Sequence, residues 1–140
     1  KAVGPDLANG ILTADLVVAK ESPAYAPFDE AYRREMGQPG ESNIYAAMTW
    51  DMVIALALAI EATGSADMGE VNKNTRAVAN AAGAKVHSFA EGKSKLAEGK
   101  IDYDGASSVL DFDENGDITP DFGVYQIEAG ALVRKYTLRI

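Results

Sequence analysis

One apolar segment, Ile44–Ile60, restricts most strongly how this 140-residue chain can fold. Apolar side chains would cover nearly the whole circumference of a helix here, and Asp51 is the one charged residue before Glu61. The segment falls short of the roughly 20 apolar residues that cross a membrane. A helix that is apolar all round must be covered on several sides, so we predict a buried helix of a folded domain.

Local signals predict the two ends of this helix. Ser42 or Asn43 precedes the apolar run and can cap its first turn with a side-chain oxygen. Gly64 follows Thr63 and can take the left-handed conformation that closes a last turn. The predicted helix therefore runs to about Thr63.

Two shorter helices are predicted on either side of it, and a helical turn follows at residues 94–98. The first begins at Pro27, because proline suits a first helical position, and ends at Gly37. Its apolar stripe is formed by Phe28, Tyr32 and Met36. The other ends at Gly83, and one of its faces is formed by Val71, Thr75, Val78 and Ala82.

Strands are predicted where β-branched and aliphatic residues cluster between turn residues. These segments are residues 11–19, 84–89, 109–112, 122–128 and 131–138. Asn115-Gly116 predicts a tight turn after the third of them, and Ala129-Gly130 predicts a hairpin between the last two. The order of elements is α/β or α+β, and it gives the apolar helix poor cover. We therefore expect its partners elsewhere in a longer chain or in another subunit.

The composition argues against several classes of partner and chemistry. The net charge of −8 leaves no basic stripe for nucleic-acid phosphates. The chain has no cysteine, which excludes disulfides, thiolate metal sites and cysteine nucleophiles. Its first residues lack the apolar core of a signal peptide, as in a mature protein or an internal fragment.

No constellation predicts catalysis. His87 is the single histidine, and a catalytic or metal-binding role would need other imidazoles, thiolates or an oriented carboxylate beside it. The chain lacks a Gly-x-Ser-x-Gly nucleophile elbow and glycine-rich phosphate loops. We therefore expect a structural histidine, no enzyme activity, no catalytic residue and no cofactor.

The acidic run at residues 111–117 is similar to the start of a calcium-binding loop. It matches Asp-x-Asp-x-Asn-Gly, but the twelfth loop position holds Phe122 where a bidentate glutamate is needed. Asx side chains and Asn-Gly explain the same residues as a turn. We expect the turn and no metal site.

Three segments, taken in order, resemble one family. They are residues 45–64 (YAAMTWDMVIALALAIEATG), residues 99–108 (GKIDYDGASS) and residues 109–117 (VLDFDENGD), the last followed by FGVYQI at residues 122–127. The chain resembles the C-terminal portion of the substrate-binding proteins of branched-chain amino-acid ABC transporters, which are type I periplasmic binding proteins. The resemblance covers nearly the whole chain.

The resemblance implies an α/β chain that is the C-terminal part of a two-lobed fold and is incomplete on its own. Residues 1–21 would be the end of lobe 2 and the second crossover strand. Residues 22–121 would be the C-terminal half of lobe 1, with three helices and then a strand and a turn. Residues 122–140 would be the third crossover and the terminal hairpin. Ser22, Tyr25 and Phe122, near the crossovers, are the candidate ligand-binding or hinge residues.

The function implied is that of a periplasmic or extracytoplasmic component of an ABC importer, which binds an amino acid or similar small solute by closure of two lobes. Its partners would be the solute, a membrane permease and the missing N-terminal part of the same protein. The fragment alone would form a homodimer or exchange elements. The alternatives are a ligand-sensing regulatory domain of the same fold and a calcium-stabilised interaction module.

Overall fold

The structure is a computed structural model that describes residues 4–80 and 82–139. Its helices and strands, in chain order, are α1 (Pro5–Ala8), β1 (Leu12–Leu16), α2 (Tyr25–Met36), a 3₁₀ turn (Gly40–Ser42), α3 (Ile44–Thr63), α4 (Met68–Ala79), β2 (Ala84–Val86), α5 (Phe89–Leu96), β3 (Ile101–Tyr103), β4 (Phe122–Glu128) and β5 (Ala131–Leu138). The chain forms two compact units. The terminal unit holds the residues up to Val17 and from Pro120 onward, and the central unit is Val18–Thr119.

The terminal unit is built on an antiparallel sheet of three strands in the order β1-β4-β5. Ala129 and Gly130 have φ angles of 50° and 81° and form the two-residue turn between β4 and β5. Positive φ at both positions suits the right-handed twist of the strands, and the predicted hairpin is confirmed. The predicted strand 11–19 is shorter than expected, because β1 ends at Leu16.

In the central unit, α2 begins earlier than the sequence predicts. The helix begins at Tyr25, directly after Ala24, which makes no side-chain cap hydrogen bond, so Pro27 is its third residue and not its first. The first N–H groups of any helix have no partner within the helix, and proline therefore loses no hydrogen bond there. Gly37 ends α2 at a φ angle of 67°, as predicted.

The predicted ends of α3 are confirmed. The Asn43 side chain accepts a hydrogen bond from the backbone N–H of Ala46 at 3.3 Å, whereas Ser42 lies in the preceding 3₁₀ turn. Gly64 has a φ angle of 65°, and its N–H donates to the carbonyl of Ile60. A side-chain cap and a left-handed glycine are local devices that sequence reveals.

The prediction that α4 ends at Gly83 is wrong. The helix ends at Ala79, and the side chain of the next residue, Asn80, bonds to the backbone of Phe112: its Nδ2 donates to the carbonyl at 2.5 Å, and its Oδ1 accepts from the N–H at 3.0 Å. Ala82 is exposed and lies outside the helix. Gly83 serves a close approach, since a Cβ there would collide with the backbone of Lys100.

The predicted strand at residues 109–112 is also wrong. Val109 makes an isolated antiparallel bridge with Asp104, and the backbone of Phe112 is bonded to Asn80. The parallel pair of the central unit is formed by β2 and β3, in which Val86 lies opposite Tyr103. The predicted strand 84–89 therefore ends at Val86.

Helix α5 follows β2. The sequence prediction placed the first residue of this helix in a strand (84–89) and only its C-terminal end in a helical turn (94–98). The Ser88 hydroxyl accepts from the N–H of Glu91 at 3.2 Å, and the Glu91 carboxylate accepts from the N–H of His87 at 2.9 Å. This reciprocal arrangement resembles a capping box, and it starts a helix at Phe89, where a strand was expected. The helix ends at Leu96, so the predicted helical turn at residues 94–98 overlaps its C-terminal end and continues two residues past it.

Two apolar cores stabilise the central unit. The larger joins α3, α4, β2 and β3, and its largest fully buried side chains are Leu58, Val71, Val78, Ile101 and Tyr103. The smaller joins the start of the unit to α2 and α3, and its buried members are Val18, Ala24, Phe28, Ala47 and Ala106. Helix α3 contributes to both cores and is the central element of the unit.

One side of α3 remains open to solvent. Tyr45, Met52 and Val53 are 69%, 60% and 61% exposed, and Ile60 is exposed as well. Among the described residues, α3 is long and apolar enough to cross a membrane by length and composition alone. The sequence estimate that the segment was too short is therefore corrected. Its packing against two cores, and the buried Asp51 described below, identify it as a core helix.

Candidate functional site

Ser22 and Tyr25, two of the predicted site residues, lie together in the central unit, just before α2 and at its first position. The Ser22 hydroxyl accepts from the N–H of Ala24 at 3.2 Å, and the Ser22 carbonyl accepts from the N–H of Tyr25 at 3.0 Å. Both side chains are half-buried. The turn therefore fixes both residues relative to α2.

The Tyr25 side chain is fixed by its neighbours on α2. Its hydroxyl donates to Asp29 Oδ1 at 3.4 Å, and its ring centroid lies 6.1 Å from that of Phe28. Burial raises the pKa of Tyr25, and the negative charges of Asp29 and Glu41 raise it further. The hydroxyl is thus a protonated hydrogen-bond donor at neutral pH.

Asp29 connects α2 to the following turn. Its carboxylate accepts from Arg33 Nε at 2.7 Å and from the N–H of Gly40 at 2.6 Å. These hydrogen bonds lower the pKa of Asp29 below its usual value, and the bond from Arg33 has the largest effect. A Cβ on Gly40 would come within 2.6 Å of the Phe28 ring, so this approach requires glycine.

Phe122, the third predicted residue, lies in the terminal unit. It is the first residue of β4, is half-buried, and pairs with Leu16 on one side and Leu138 on the other. The structure therefore groups Ser22 with Tyr25 and assigns Phe122 to the other unit.

The most elaborate polar cluster of the central unit was not predicted. Asp51 on α3 is 1% exposed. Its Oδ1 accepts from the Tyr103 hydroxyl at 3.0 Å and from the N–H of Ala106 at 2.8 Å. Its Oδ2 accepts from the N–H and the hydroxyl of Ser107 at 2.7 and 2.5 Å. Asp51 thus holds the loop formed by residues 104–108. We call Asp51 and this loop together the carboxylate anchor.

One feature of the sequence indicates this anchor: Asp51 is a single acidic residue within an otherwise apolar helix. A buried carboxylate is costly unless hydrogen-bonded, so such a residue implies donors elsewhere in the fold. Gly105 allows the close approach, because a Cβ at this position would collide with the Asp51 carboxylate. With four donors on its two oxygens, the carboxylate positions the loop and has little capacity left for a ligand.

The anchor also alters the chemistry of Tyr103. Burial, the nearby charge of Asp51 and the hydrogen bond to it all raise the pKa of the Tyr103 hydroxyl far above its ordinary value. Tyr103 therefore remains protonated throughout the physiological range and acts as a fixed donor.

Polar side chains on β2 and β3, and just after these strands, also interact with one another. His87 Nδ1 lies 3.4 Å from the Asp104 carbonyl oxygen. Lys85 Nζ lies 2.8 Å from Asp102 and 2.9 Å from Asp104, and these pairings raise the pKa of Lys85 to about 12, with the bond to Asp102 contributing most. All of these contacts are made within the unit.

The acidic run forms the turn expected of it. Asp113 Oδ1 accepts from the N–H groups of Asn115 and Asp117 at 2.8 and 2.9 Å, and Gly116 has a φ angle of 92°. These hydrogen bonds lower the pKa of Asp113. The bond from the Asp117 N–H contributes most, and bonds from Asn115 and Gly116 add to it. Within residues 4–80 and 82–139, no group of three or more His, Cys, Asp or Glu side chains is arranged to hold a metal ion.

An apolar groove of about 640 Å³ lies between α2 and α3. Its walls include Phe28, Tyr32 and Met36 from α2 and Trp50, Val53 and Ile54 from α3. The Phe28 and Trp50 rings meet edge to face with centroids 6.0 Å apart. The groove adjoins the side of α3 that is open to solvent, and Val53 belongs to both.

Comparisons with known proteins identify the family. Residues 4–130 match the family described as the receptor family ligand binding region. The chain belongs to this family, and its fold is that of a type I periplasmic binding protein, of the kind found in branched-chain amino-acid binding proteins.

One solved structure shows the same fold. The crystal structure of a leucine binding protein, LivK, from Thermotoga maritima superposes with a TM-score of 0.63 at 22% sequence identity. The superposition covers 98% of this chain and 35% of that one, so the chain spans about a third of its relative's length. No curated protein matches the chain.

Proposed function

We propose that this chain is part of an extracytoplasmic solute-binding protein that serves an ABC importer. The protein binds an amino acid or a similar small organic solute by closure of two lobes. The observation that carries the proposal is the match of residues 4–130 to a family of ligand-binding regions. Its partners are the solute, a membrane permease and the remainder of the same protein, and its compartment is the periplasm or its equivalent.

The proposed division into lobes follows the resemblance. Residues 1–21 end lobe 2, residues 22–121 form the C-terminal half of lobe 1, and residues 122–140 contain the last crossover and the hairpin. The chain passes from one compact unit to the other at Val17–Val18 and again at Thr119–Pro120, which supports a division of this kind. Residues 1–3, 81 and 140 of these divisions lie outside the described residues.

The proposed role of the chain is binding and not catalysis. Ser22, Tyr25 and Phe122 are the proposed ligand-binding or hinge residues. In support, Ser22 and Tyr25 carry hydroxyl groups on a well-fixed turn, and such groups can orient a small polar solute.

The solute can be identified with the full-length protein. We expect mass spectrometry to detect an amino acid or a small carboxylate that co-purifies with it. We also expect calorimetric titration to give saturable one-site binding. The solute should raise the melting temperature, since a ligand at a hundred times its Kd stabilises the folded state by about 2.7 kcal/mol. If a panel of amino acids and small carboxylates, L-leucine included, neither binds nor shifts the melt, the proposal is wrong.

Two variants test the proposed residues. Tyr25→Phe removes one hydroxyl beside the turn, and we expect weaker binding of the identified solute. Tyr45→Phe is the matched control, because Tyr45 is 69% exposed on α3, and its affinity should equal that of the wild type. Equal affinities for all three proteins would exclude Tyr25 from the site.

A further inference from the structure

Two Asn-Gly pairs occur in the sequence, Asn9-Gly10 and Asn115-Gly116. An asparagine side chain can lose its amide to attack by the backbone nitrogen of the next residue, and glycine hinders this attack least because it has no side chain. All four residues are exposed. Any difference in reactivity between the two pairs therefore comes from how the fold holds them, and not from their access to water.

The first pair is bonded to a distant part of the terminal unit. Asn9 Oδ1 accepts from the N–H of Ala129 at 3.0 Å, and the N–H of Gly10 donates to the carbonyl of Ile127 at 2.8 Å. The carbonyl of Gly10 also accepts from the side chain of Gln126 at 3.1 Å. Both reacting groups, the side-chain amide and the glycine nitrogen, are thus held by β4 and the residue that follows it. Reaction here requires that β4 first separate from the pair.

The second pair is held only locally. The N–H of Gly116 donates to the carbonyl of Asp113 at 3.2 Å, and Asn115 Nδ2 donates to Asp113 Oδ2 at 3.3 Å. Arg76 reaches the same turn from α4, but its Nη2 donates to the carbonyl of Glu114 and engages neither reacting group. A turn of this kind opens by itself at a small cost in free energy, whereas the separation of sheet strands is a larger opening.

We propose that Asn115 is a site of spontaneous deamidation in the folded protein and that the fold protects Asn9. The Gly116 nitrogen attacks Cγ of Asn115 and loses its proton. The bond from Cγ to Nδ2 breaks, and Nδ2 leaves as ammonia with that proton. Water then opens the resulting succinimide ring at either carbonyl, which yields aspartate or isoaspartate at this position. Water is the only other reactant, and no group is oxidised or reduced.

Either product alters the turn. Aspartate adds a negative charge beside Asp113, Glu114 and Asp117, and isoaspartate also inserts a methylene group into the main chain. The residues on both sides of the turn, Phe112 and Ile118, pack against the larger core of the central unit. Isoaspartate therefore changes the length of main chain that joins two core contacts.

Peptide mapping by mass spectrometry tests the proposal on the full-length protein. The protein is incubated under native conditions at mildly alkaline pH, and the two peptides that carry the pairs are followed for loss of ammonia and gain of water. We expect Asn115 to react about tenfold faster than Asn9, because reaction at Asn9 must also break hydrogen bonds to β4. Equal rates, or no reaction at Asn115, would overturn the proposal.

The unfolded protein supplies the reference for both pairs. In concentrated urea neither pair is held by the fold, so Asn9 and Asn115 should react at similar rates. The rate at Asn9 should rise on unfolding by a larger factor than the rate at Asn115. A preference for Asn115 that persists unchanged in urea would place its cause in the local sequence and refute protection by the fold.

Two variants assign the fast reaction to one residue. Asn115→Gln keeps the amide but lengthens the side chain by one methylene, so attack by the Gly116 nitrogen would have to close a larger ring. We expect the fast modification to disappear in this variant. Asn9→Gln is the matched control and should leave the rate at Asn115 unchanged. Loss of the fast reaction in both variants, or in neither, would contradict the assignment. None of these measurements requires a solute.

Discussion

A single residue of α3, Asp51, fixes the loop at residues 104–108 against the helix. It interrupts the most apolar segment of the sequence, yet its carboxylate is fully buried and accepts four hydrogen bonds. The donors come from residues more than fifty positions away, at Tyr103, Ala106 and Ser107. A carboxylate of this kind stabilises one loop conformation, because any other leaves a buried charge without donors.

Removal of this carboxylate should destabilise the protein strongly. For Asp51→Ala we expect a loss of about 3–5 kcal/mol in the free energy of unfolding, because buried donors lose their acceptor. Glu61→Gln on the same helix is the control; Glu61 pairs with Lys93 at the surface, and its loss should change stability by at most about 1 kcal/mol. Urea unfolding measures both, and similar losses for the two variants would contradict the role of the anchor.

Tyr103 should make the free energy of unfolding decrease as the pH rises through the alkaline range. Its folded pKa is raised, so the unfolded state releases this proton first, and the stability it contributes is present below pH 10 and lost above it. Tyr103→Phe removes this effect together with one hydrogen bond. The stability difference between wild type and Tyr103→Phe should therefore shrink by about 1.4 kcal/mol from pH 8 to pH 11. Urea unfolding at both pH values measures it; a constant difference would mean that Tyr103 ionises normally in the folded protein.

At the scale of elements, local signals predicted several helix ends correctly, whereas contacts between distant residues were missed. Asn43, one of the two predicted caps, begins α3, and Gly37 and Gly64 end α2 and α3 as predicted, because a cap acts on the turn beside it. The end of α4 and the backbone near residue 112 were mispredicted together. Asn80 bonds both backbone groups of Phe112, 32 residues away, and no local pattern records such a pair.

The contact between α5 and α3 depends on Gly92. A Cβ at this position would come within 2.5 Å of Leu58 Cδ2, and Leu58 is fully buried. We expect Gly92→Ala to cost about 1–3 kcal/mol despite the better helix propensity of alanine. Leu58→Ala alone should cost about 2–5 kcal/mol, but less in the Gly92→Ala background, where the new methyl fills part of the cavity. A thermodynamic cycle of the four proteins measures this, and additive costs would exclude the contact.

At the scale of the molecule, the chain leaves apolar surface on the helix that is most central to it. Tyr45, Met52 and Val53 are exposed on α3, and the groove between α2 and α3 adjoins them. That α3 needs neighbours beyond these residues remains a prediction, made for a chain that spans 35% of its structural relative.

The 140-residue chain by itself should therefore associate. Light scattering at micromolar concentration is expected to give a mass above that of one chain, since a large exposed apolar surface drives association. Met52→Lys with Val53→Glu should reduce this mass, whereas Asn72→Lys, at an exposed polar position of α4, should not. A wild-type chain that stays monomeric and melts cooperatively would contradict the prediction.

The sequence by itself determined the fold class, the presence of helices α2, α3 and α4, both ends of α3, the terminal hairpin and the acidic turn. Periodicity, caps and turn residues act over a few positions, and order with spacing carried the family resemblance. It also nominated Ser22, Tyr25 and Phe122 as site residues, and their role remains a prediction. Only the tertiary structure decided the partners of Asp51 and Asn80, because both depend on groups that folding brings together from distant parts of the chain.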